Sequence, residues 1–544
     1  MGKLPLLVSQ ERHVSKIKPT NLFVGKVTVA RVPRATCKIN YFQNSKTNLL
    51  QNGFYNYLHK QKSIYFYFLF FSFISLMVKR TSQQRYIDLI KQTFYFDTPD
   101  FTVSNDELNF YGVELMPIIE KYGTPLRLTY LPKISENIRR ARSHFGEAMK
   151  KLNYDAEYVY CYCTKSSHFN FIMEEVLKTG AHLETSSTFD MAIIKKLHQK
   201  GLFDKDKYIV CNGFKRESYT SEIKSLWENG FENCIAVLDN RKEISEYEDL
   251  NVEKMQIGLR IATEEEPNFH FYTSRLGIRY KDVVEFYKKH VATNPKFKLS
   301  LLHFFVNSGI RDTVYFWSEF NKFVRAYCDL KKICPELHIL DIGGGLPIKN
   351  SLGFEFDYEY MTEAIVANIQ EVCEQEGVPV PTIFSEFGSF TVGESGAMIF
   401  SVMAQKQQND RELWYMIDGS FITHLPDTWG MGYRFITMAV NNWDKEYQQV
   451  HLGGITCDSM DYYDSESHVS KLMLPKFTRG TEQYIGFFHT GAYQESLGGY
   501  GGIQHCLIPN AQHVIVDRDE QGNVTTELFN KEQTAEQVLT ILGY

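Results

Sequence analysis

From Gly123-Thr124-Pro125 onward the chain repeats one unit, a short apolar β-rich run followed by a longer amphipathic stretch. Strands that pair in parallel need a crossover of a dozen or more residues, and an amphipathic helix supplies it. Eight such runs are legible: Tyr158 to Thr164, Ala181 to Thr185, Tyr208 to Asn212, Cys234 to Asp239, Gln256 to Ile261, Leu301 to Val306, Leu337 to Ile342 and Thr382 to Glu386. Phe189 to Gln199 and Tyr219 to Asn229 are examples of the helical segments between them. Eight βα units in about 260 residues match a closed (β/α)8 barrel, so the fold class is α/β, with the barrel over residues 131–395.

Beyond Gly396 the texture changes to strands, aromatic residues and loops, as in Trp414 to Ile417, Phe435 to Val440, Tyr484 to Phe488 and His513 to Val516. Residues 396–544 therefore read as a C-terminal antiparallel β domain. Residues 77–130 join it, because Leu126 to Leu131 is strand-like before any parallel partner exists. Residues 1–76 are an atypical extension that is basic and patternless up to Ser63, where a run crowded with Phe and Tyr continues to Val78. That run is short for a spanning helix. The favoured reading is that Met77 is the true start; a signal anchor before Lys79-Arg80 is the alternative.

A net charge of -6 with mixed signs argues against a nucleic-acid binder, which would carry a basic stripe. The ten cysteines form no CxxC pair and no metal spacing, which points to reduced thiols and a cytoplasmic location without a membrane partner.

In a barrel of this kind chemistry sits at the C-terminal ends of the strands. Those ends carry Lys165, Glu184, Arg260, Asn307 with Ser308, the run Gly343-Gly344-Gly345, and Glu386. Three consecutive glycines after an apolar strand let bare amides approach a phosphate, although they also suit an ordinary tight turn. A lysine at a strand end is most often a solvated terminus. Ringed by loops it would be partly desolvated, its ammonium pKa lowered, and its amine made a Schiff-base nucleophile. A phosphate at the glycines, an amine at Lys165 and a carboxylate at Glu386 are together the requirements of pyridoxal 5'-phosphate, with Glu386 on the pyridinium nitrogen. In the β domain, Cys457 beside Asp458 is either an ordinary thiol or a proton donor to a carbanion. Tyr493 either reaches the phosphate or packs.

These residues lie in ordered motifs: YCYCTKSSH, HLETSSTFD, VCNGFKRESY, LRIATEE, ILDIGGGLP, SEFG, LPDTWG, TCDS and GAYQESLG. Through them the chain from about Met77 resembles the fold-III pyridoxal-phosphate decarboxylases, which share an alanine-racemase-like barrel, and most of all the biosynthetic arginine decarboxylases. The resemblance implies a carboxy-lyase of arginine metabolism and polyamine (spermidine) biosynthesis, converting L-arginine to agmatine. It makes Lys165 the covalent anchor of the cofactor and Glu386 its ring partner, and it places Gly343, Gly344, Gly345 and Tyr493 on the phosphate. Arg260, His303 and Ser308 line the cofactor. Cys457 becomes the proton donor, and Asp458 and Asp418 meet the cationic end of the substrate. It also implies a homodimer with shared active sites.

Two departures stand out. Phe305, in His303-Phe304-Phe305-Val306-Asn307-Ser308, occupies the place of a cofactor-stacking histidine, and His303, two residues away on one strand face, is its expected substitute. Ser389 stands where an arginine grips the phosphate. Acidic groups suit ornithine, lysine or a carboxynorspermidine-type substrate as well, and a non-catalytic regulatory homologue is the reading that these departures favour.

Overall fold

The computed structural model describes residues 84–264, 273–465, 471–499, 501 and 505–544. They belong to one compact unit, Ser82–Tyr544. The basic extension, the run from Ser63 to Val78 and the reading of Met77 as the start lie outside the described residues. Among the described residues no helix is long and apolar enough to cross a membrane.

Eight parallel strands close on themselves: Tyr158–Cys163, His182–Thr185, Ile209–Cys211, Cys234–Leu238, Met255–Ala262, Phe297–His303, Ile339–Asp341 and Thr382–Phe387. Each pairs in parallel with the next, the fourth with the fifth and the eighth with the first, which completes the barrel. Helices such as Pro132–Leu152, Val314–Lys331 and Tyr358–Glu376 pack outside. Along a strand successive side chains alternate in direction, so each strand feeds two cores. Tyr160, Tyr162, Leu183, Ile209 and Leu340 face the helices. Cys161, Val210, Ile235, Val237, Leu301, Ile339 and Phe384 fill the barrel's interior.

The sixth strand departs from the sequence reading: it runs Phe297–His303 rather than from Leu301 to Val306. A bulge between Leu299 and Leu301 is the reason. It turns Leu299 towards the helices and Leu301 inward, breaking the alternation that marks a strand. His303 consequently ends the strand and Phe305 lies in the loop beyond it, so the two share no strand face.

The second sheet is built on Gly396–Gln407, which pairs antiparallel with Leu413–Ile417, Tyr484–Phe488 and Leu126–Tyr130. It is not purely antiparallel. Leu126–Tyr130 runs parallel to Gln512–Arg518, and Leu413–Ile417 runs parallel to Tyr447–Gly453. Its core is separate from the barrel's and centres on residues such as Trp443, Phe400 and Phe487.

Candidate active site

Counting inward along each strand from the apolar interior gives one ring of side chains at the C-terminal mouth: Cys163, Glu184, Asn212, Asp239, Arg260, His303, Asp341 and Glu386. All but Arg260, which is half-buried, are buried. Strand register sets the neighbours, placing Cys163 beside Glu184 and His303 between Arg260 and Asp341.

Lys165 follows the first strand in a short 3-10 turn, Thr164–Ser166, and keeps 45% of its side chain exposed. Its Nζ lies 2.6 Å from Cys163 Sγ and 2.8 Å from Glu184 Oε2. From there hydrogen bonds run across the mouth. Asn212 Nδ2 donates to Glu184 Oε1 at 3.0 Å and to Glu386 Oε1 at 2.7 Å. His303 Nε2 meets Glu386 Oε2 at 3.0 Å. Asp341 Oδ1 accepts the Gly343 amide at 2.8 Å, and Gly343 in turn accepts the amide of Glu386 through its carbonyl at 2.8 Å.

Of the shifted ionisable groups at the mouth, Asp341, Glu386 and Lys165 bear on the chemistry. Burial pushes the Asp341 carboxyl well above the usual carboxylate range, and the adjacent Glu386 charge adds to the shift, so Asp341 carries the proton of the pair. Burial opposes ionisation of Glu386 too, but His303, Lys165 and the Asp341 proton hold its pKa down at about 2. For Lys165 burial favours the neutral amine, yet Cys163 and Glu184, helped by Tyr493 and Glu386, raise its pKa well above that of an ordinary lysine. This corrects the expectation of a lowered ammonium: burial is outweighed by the negative groups it brings close.

The triple glycine is required by its neighbours. A Cβ on Gly343 would stand 2.2 Å from the Phe304 carbonyl oxygen, one on Gly344 2.7 Å from that of Glu386, and one on Gly345 2.8 Å from Gly309 Cα. Gly343 and Gly345 also adopt φ of +68° and +100°. The turn thereby ties the ends of strands six, seven and eight together. The Gly343 amide is taken by Asp341, whereas those of Gly344 and Gly345 have no acceptor among the described residues.

The mouth suits a polar, anionic ring ligand. Asn212 Oδ1, Asp239 Oδ1, Arg260 Nε, His303 Nδ1, Ser308 Oγ and Asp341 Oδ2 are buried without a hydrogen-bond partner among the described residues. Buried polar atoms are seldom left unpaired, and six around one opening call for a ligand that pairs them. Arg260 is charged against Asp239, Glu386 and Glu184 and lies 5.6 Å over the Phe305 ring. Tyr493 precedes the short helix Gln494–Leu497 with φ +67°, its amide donating to the Ser166 carbonyl at 2.8 Å.

The structure thus brings together Lys165, Arg260, His303, Ser308, Gly343 to Gly345, Glu386 and Tyr493. The bond of His303 to Glu386 sets its imidazole at the barrel's inner rim. Asp418 is engaged elsewhere: its carboxylate accepts from Thr124 Oγ1 at 2.5 Å, Ser401 N at 2.9 Å and Ser401 Oγ at 2.7 Å. Cys457 and Asp458 sit in a loop of the β domain, and among the described residues their hydrogen bonds and ion pair are to Thr456, Met460, Asp461, His505 and Cys506, none in the barrel. Asn212, Asp239 and Asp341 were not singled out from the sequence. The two-residue period counted from the interior was the signal that finds them.

Residues 133–393 match the family described as pyridoxal-dependent decarboxylase, pyridoxal binding domain. Arginine decarboxylase 2 of Arabidopsis thaliana is 24% identical over 515 residues, covering 73% of this chain and 71% of that protein. The crystal structure of the biosynthetic arginine decarboxylase of Campylobacter jejuni has a TM-score of 0.71 at 20% identity, over 82% of this chain and 89% of that one. Diaminopimelate decarboxylase of M. jannaschii, solved with L-lysine, has a TM-score of 0.67 at 17% identity, over 81% of this chain and 97% of its own. With an amine, a buried carboxylate and a glycine turn at one barrel mouth, and with this match across the barrel, residues 133–393 carry the pyridoxal binding domain of the pyridoxal-dependent decarboxylases.

Proposed function

We propose that the protein removes the α-carboxylate of L-arginine as carbon dioxide and yields agmatine, a precursor of polyamines. The observation that carries this reading is the hydrogen-bonded chain from Lys165 through Glu184 and Asn212 to an ionised Glu386. When bound, pyridoxal phosphate supplies an electron sink for the pair left on the substrate Cα.

The residues divide the work. Lys165 is the amine that holds the cofactor. Glu386, kept anionic, favours a proton on the ring nitrogen, and Asn212 and His303 fix its two oxygens in place. The amides of Gly344 and Gly345, with Ser308 and Tyr493, are the phosphate donors. Cys457 Sγ delivers a proton to the substrate Cα after carbon dioxide leaves. Asp458, partly exposed, is suited to meet a guanidinium; Asp418, with three internal donors already on it, is the weaker of the two carboxylates for that role.

Among the described residues no hydrogen bond or ion pair of Cys457 or Asp458 reaches the barrel of its own chain, so this reading needs a second copy to present them. A homodimer with shared sites is therefore the proposed active unit. Buried free thiols at Cys161, Cys163, Cys211, Cys234, Cys328, Cys334 and Cys373 suit a reducing compartment, and we place the protein in the cytoplasm.

The test is carbon dioxide release from arginine, ornithine, lysine and diaminopimelate assayed side by side. Arginine should give the highest kcat/KM, Lys165→Ala should lose both the yellow colour and the activity, and Cys457→Ala should lose about 10²- to 10⁴-fold in rate. Absence of release from arginine, with release from another of the four, would sink the substrate assignment.

A further inference from the structure

Among the described residues seven cysteines are buried and two are exposed, and the exposed two, Cys457 and Cys506, are neighbours. Their sulfurs stand 3.3 Å apart, and His505 Nδ1 lies 3.2 Å from Cys506 Sγ. One donor atom from each of Cys457, His505 and Cys506 falls within 4.8 Å of the other two. The second ring nitrogen, His505 Nε2, faces Asp458 Oδ2 at 3.8 Å. We propose that Cys457, Cys506 and His505 form a binding site for one Zn²⁺ ion, with Asp458 behind the imidazole.

Two thiolates and an imidazole are a soft donor set that selects zinc over the hard cations. Tetrahedral coordination with Zn–S bonds of about 2.3 Å sets the sulfurs roughly 3.8 Å apart, so the pair must open by about half an ångström. Both thiols lie at the surface, where such an opening displaces no core. Cys506 holds φ of +55°, a left-handed conformation that cysteine seldom adopts, in the turn that sets its sulfur beside Cys457. Asp458 Oδ2, 3.8 Å from Nε2, must close by about half an ångström to accept its proton; that leaves the Nδ1 lone pair for the metal, the arrangement that orients most zinc-bound histidines. Three protein donors leave one position to water, so this is an open, exchangeable site and not a closed structural one. Each thiol gives up its proton to solvent as the Zn–S bond forms, and no electron is transferred.

The consequence for activity rests on the proposed function: a Cys457 sulfur bound to zinc has no proton to deliver, so the ion inhibits. Binding itself is tested independently, by thiol titration of the native holoenzyme. Two fast thiols are expected, both protected by one equivalent of Zn²⁺ and released by a chelator. Co²⁺ in place of zinc should give visible ligand-field bands to the red of the cofactor's absorption. Cys506→Ser should leave one fast thiol and no protection, and Asp458→Asn should weaken Zn²⁺ binding about 10- to 100-fold. Equal thiol reactivity with and without zinc overturns the site, as does a Cys457–Cys506 disulfide whose reduced form binds no metal. Protection with full inhibition, lost in Cys506→Ser, carries the inference through to catalysis. Protection without inhibition upholds the metal site and refutes Cys457 as the proton donor.

Discussion

The proton shared between Asp341 and Glu386 gives the sharpest test of the site, through the substitution Asp341→Asn. Asn is nearly isosteric. Its oxygen can accept the Gly343 amide as Asp341 Oδ1 does, and its NH2 takes the place of Asp341 Oδ2, which has no hydrogen-bond partner among the described residues. What it lacks is the capacity to ionise. In the unfolded chain Asp341 loses its proton near its ordinary pKa of 3.8, whereas in the cofactor-free native protein burial and the Glu386 charge keep it. Between those two pKa values the native state binds one proton more than the unfolded state, so wild-type stability falls by about 1.4 kcal/mol per pH unit. Glu386 has the opposite sign. Its folded pKa, about 2, is below its ordinary 4.5, so its contribution is complete above 4.5 and lost as pH falls towards 2. Raising the pH from about 5 to about 6 therefore isolates Asp341, and Asp341→Asn should gain about 1.4 kcal/mol on the wild type over that step. Urea unfolding of both cofactor-free proteins at the two pH values measures the difference. An infrared difference spectrum of the wild type should show the C=O stretch of a protonated carboxyl that the variant lacks. Parallel stability curves and no such band would refute the assignment of the proton to Asp341.

Glu184→Gln removes a carboxylate that holds the Lys165 ammonium, so the pH dependence of cofactor recapture by the cofactor-free variant should move to lower pH; an unmoved profile would show that Cys163 and Glu386 suffice. Gly344→Ala incurs no left-handed φ penalty but sets a Cβ 2.7 Å from the Glu386 carbonyl oxygen, and should lose about 1–3 kcal/mol of stability together with cofactor affinity, read by thermal unfolding and by dialysis of the yellow protein. Lys215 and Glu243 form a buried pair at 2.8 Å, and Lys215 also donates to the Val237 carbonyl at 2.6 Å. Lys215→Ala should cost about 3–5 kcal/mol, whereas the double change Lys215→Met with Glu243→Leu should recover most of it in the same unfolding assay.

How much of this was legible in the sequence follows from what each strand touches. Barrel strands are buried on both faces and read as apolar runs between helices, which is why all eight were found within a few residues of their places. The sixth was misplaced because its bulge breaks the pattern. Gly396–Gln407, the longest strand of the β domain, went unrecognised because it opens on glycine and ends in the exposed polar run Ala404 to Gln407, so neither alternation nor a bounded apolar core marks it. In the site, Lys165, Glu386 and the glycines were legible as residues whose chemistry is rare at strand ends. Asp341 was hidden in the motif that named its neighbours, and Asn212 carries no charge to draw attention. Their roles arise from distances across the barrel, which no local pattern records.

The two departures from the family pattern become one physical question once the mouth is assembled: what supplies the stacking ring and the positive charge that His and Arg provide elsewhere. Phe305 has the ring but not the charge, and the Arg260 guanidinium, 5.6 Å over it, brings a cation to the same place. Arg260 remains there at the expense of desolvation because Asp239, Glu386 and Glu184 surround it with negative charge. Ser389 has no charge to offer. On the proposed function, phosphate binding then falls to neutral donors, chiefly the two amides of Gly344 and Gly345, which no group among the described residues accepts. Amides in a fixed turn are positioned before the ligand arrives, so their contribution depends on the rigidity of the turn more than on charge. That rigidity comes from the backbone contacts of Gly343, Gly344 and Gly345 with Phe304, Glu386 and Gly309, contacts too close for any side chain. On the proposed function, the glycines of this chain hold the phosphate and brace the barrel with the same missing atoms.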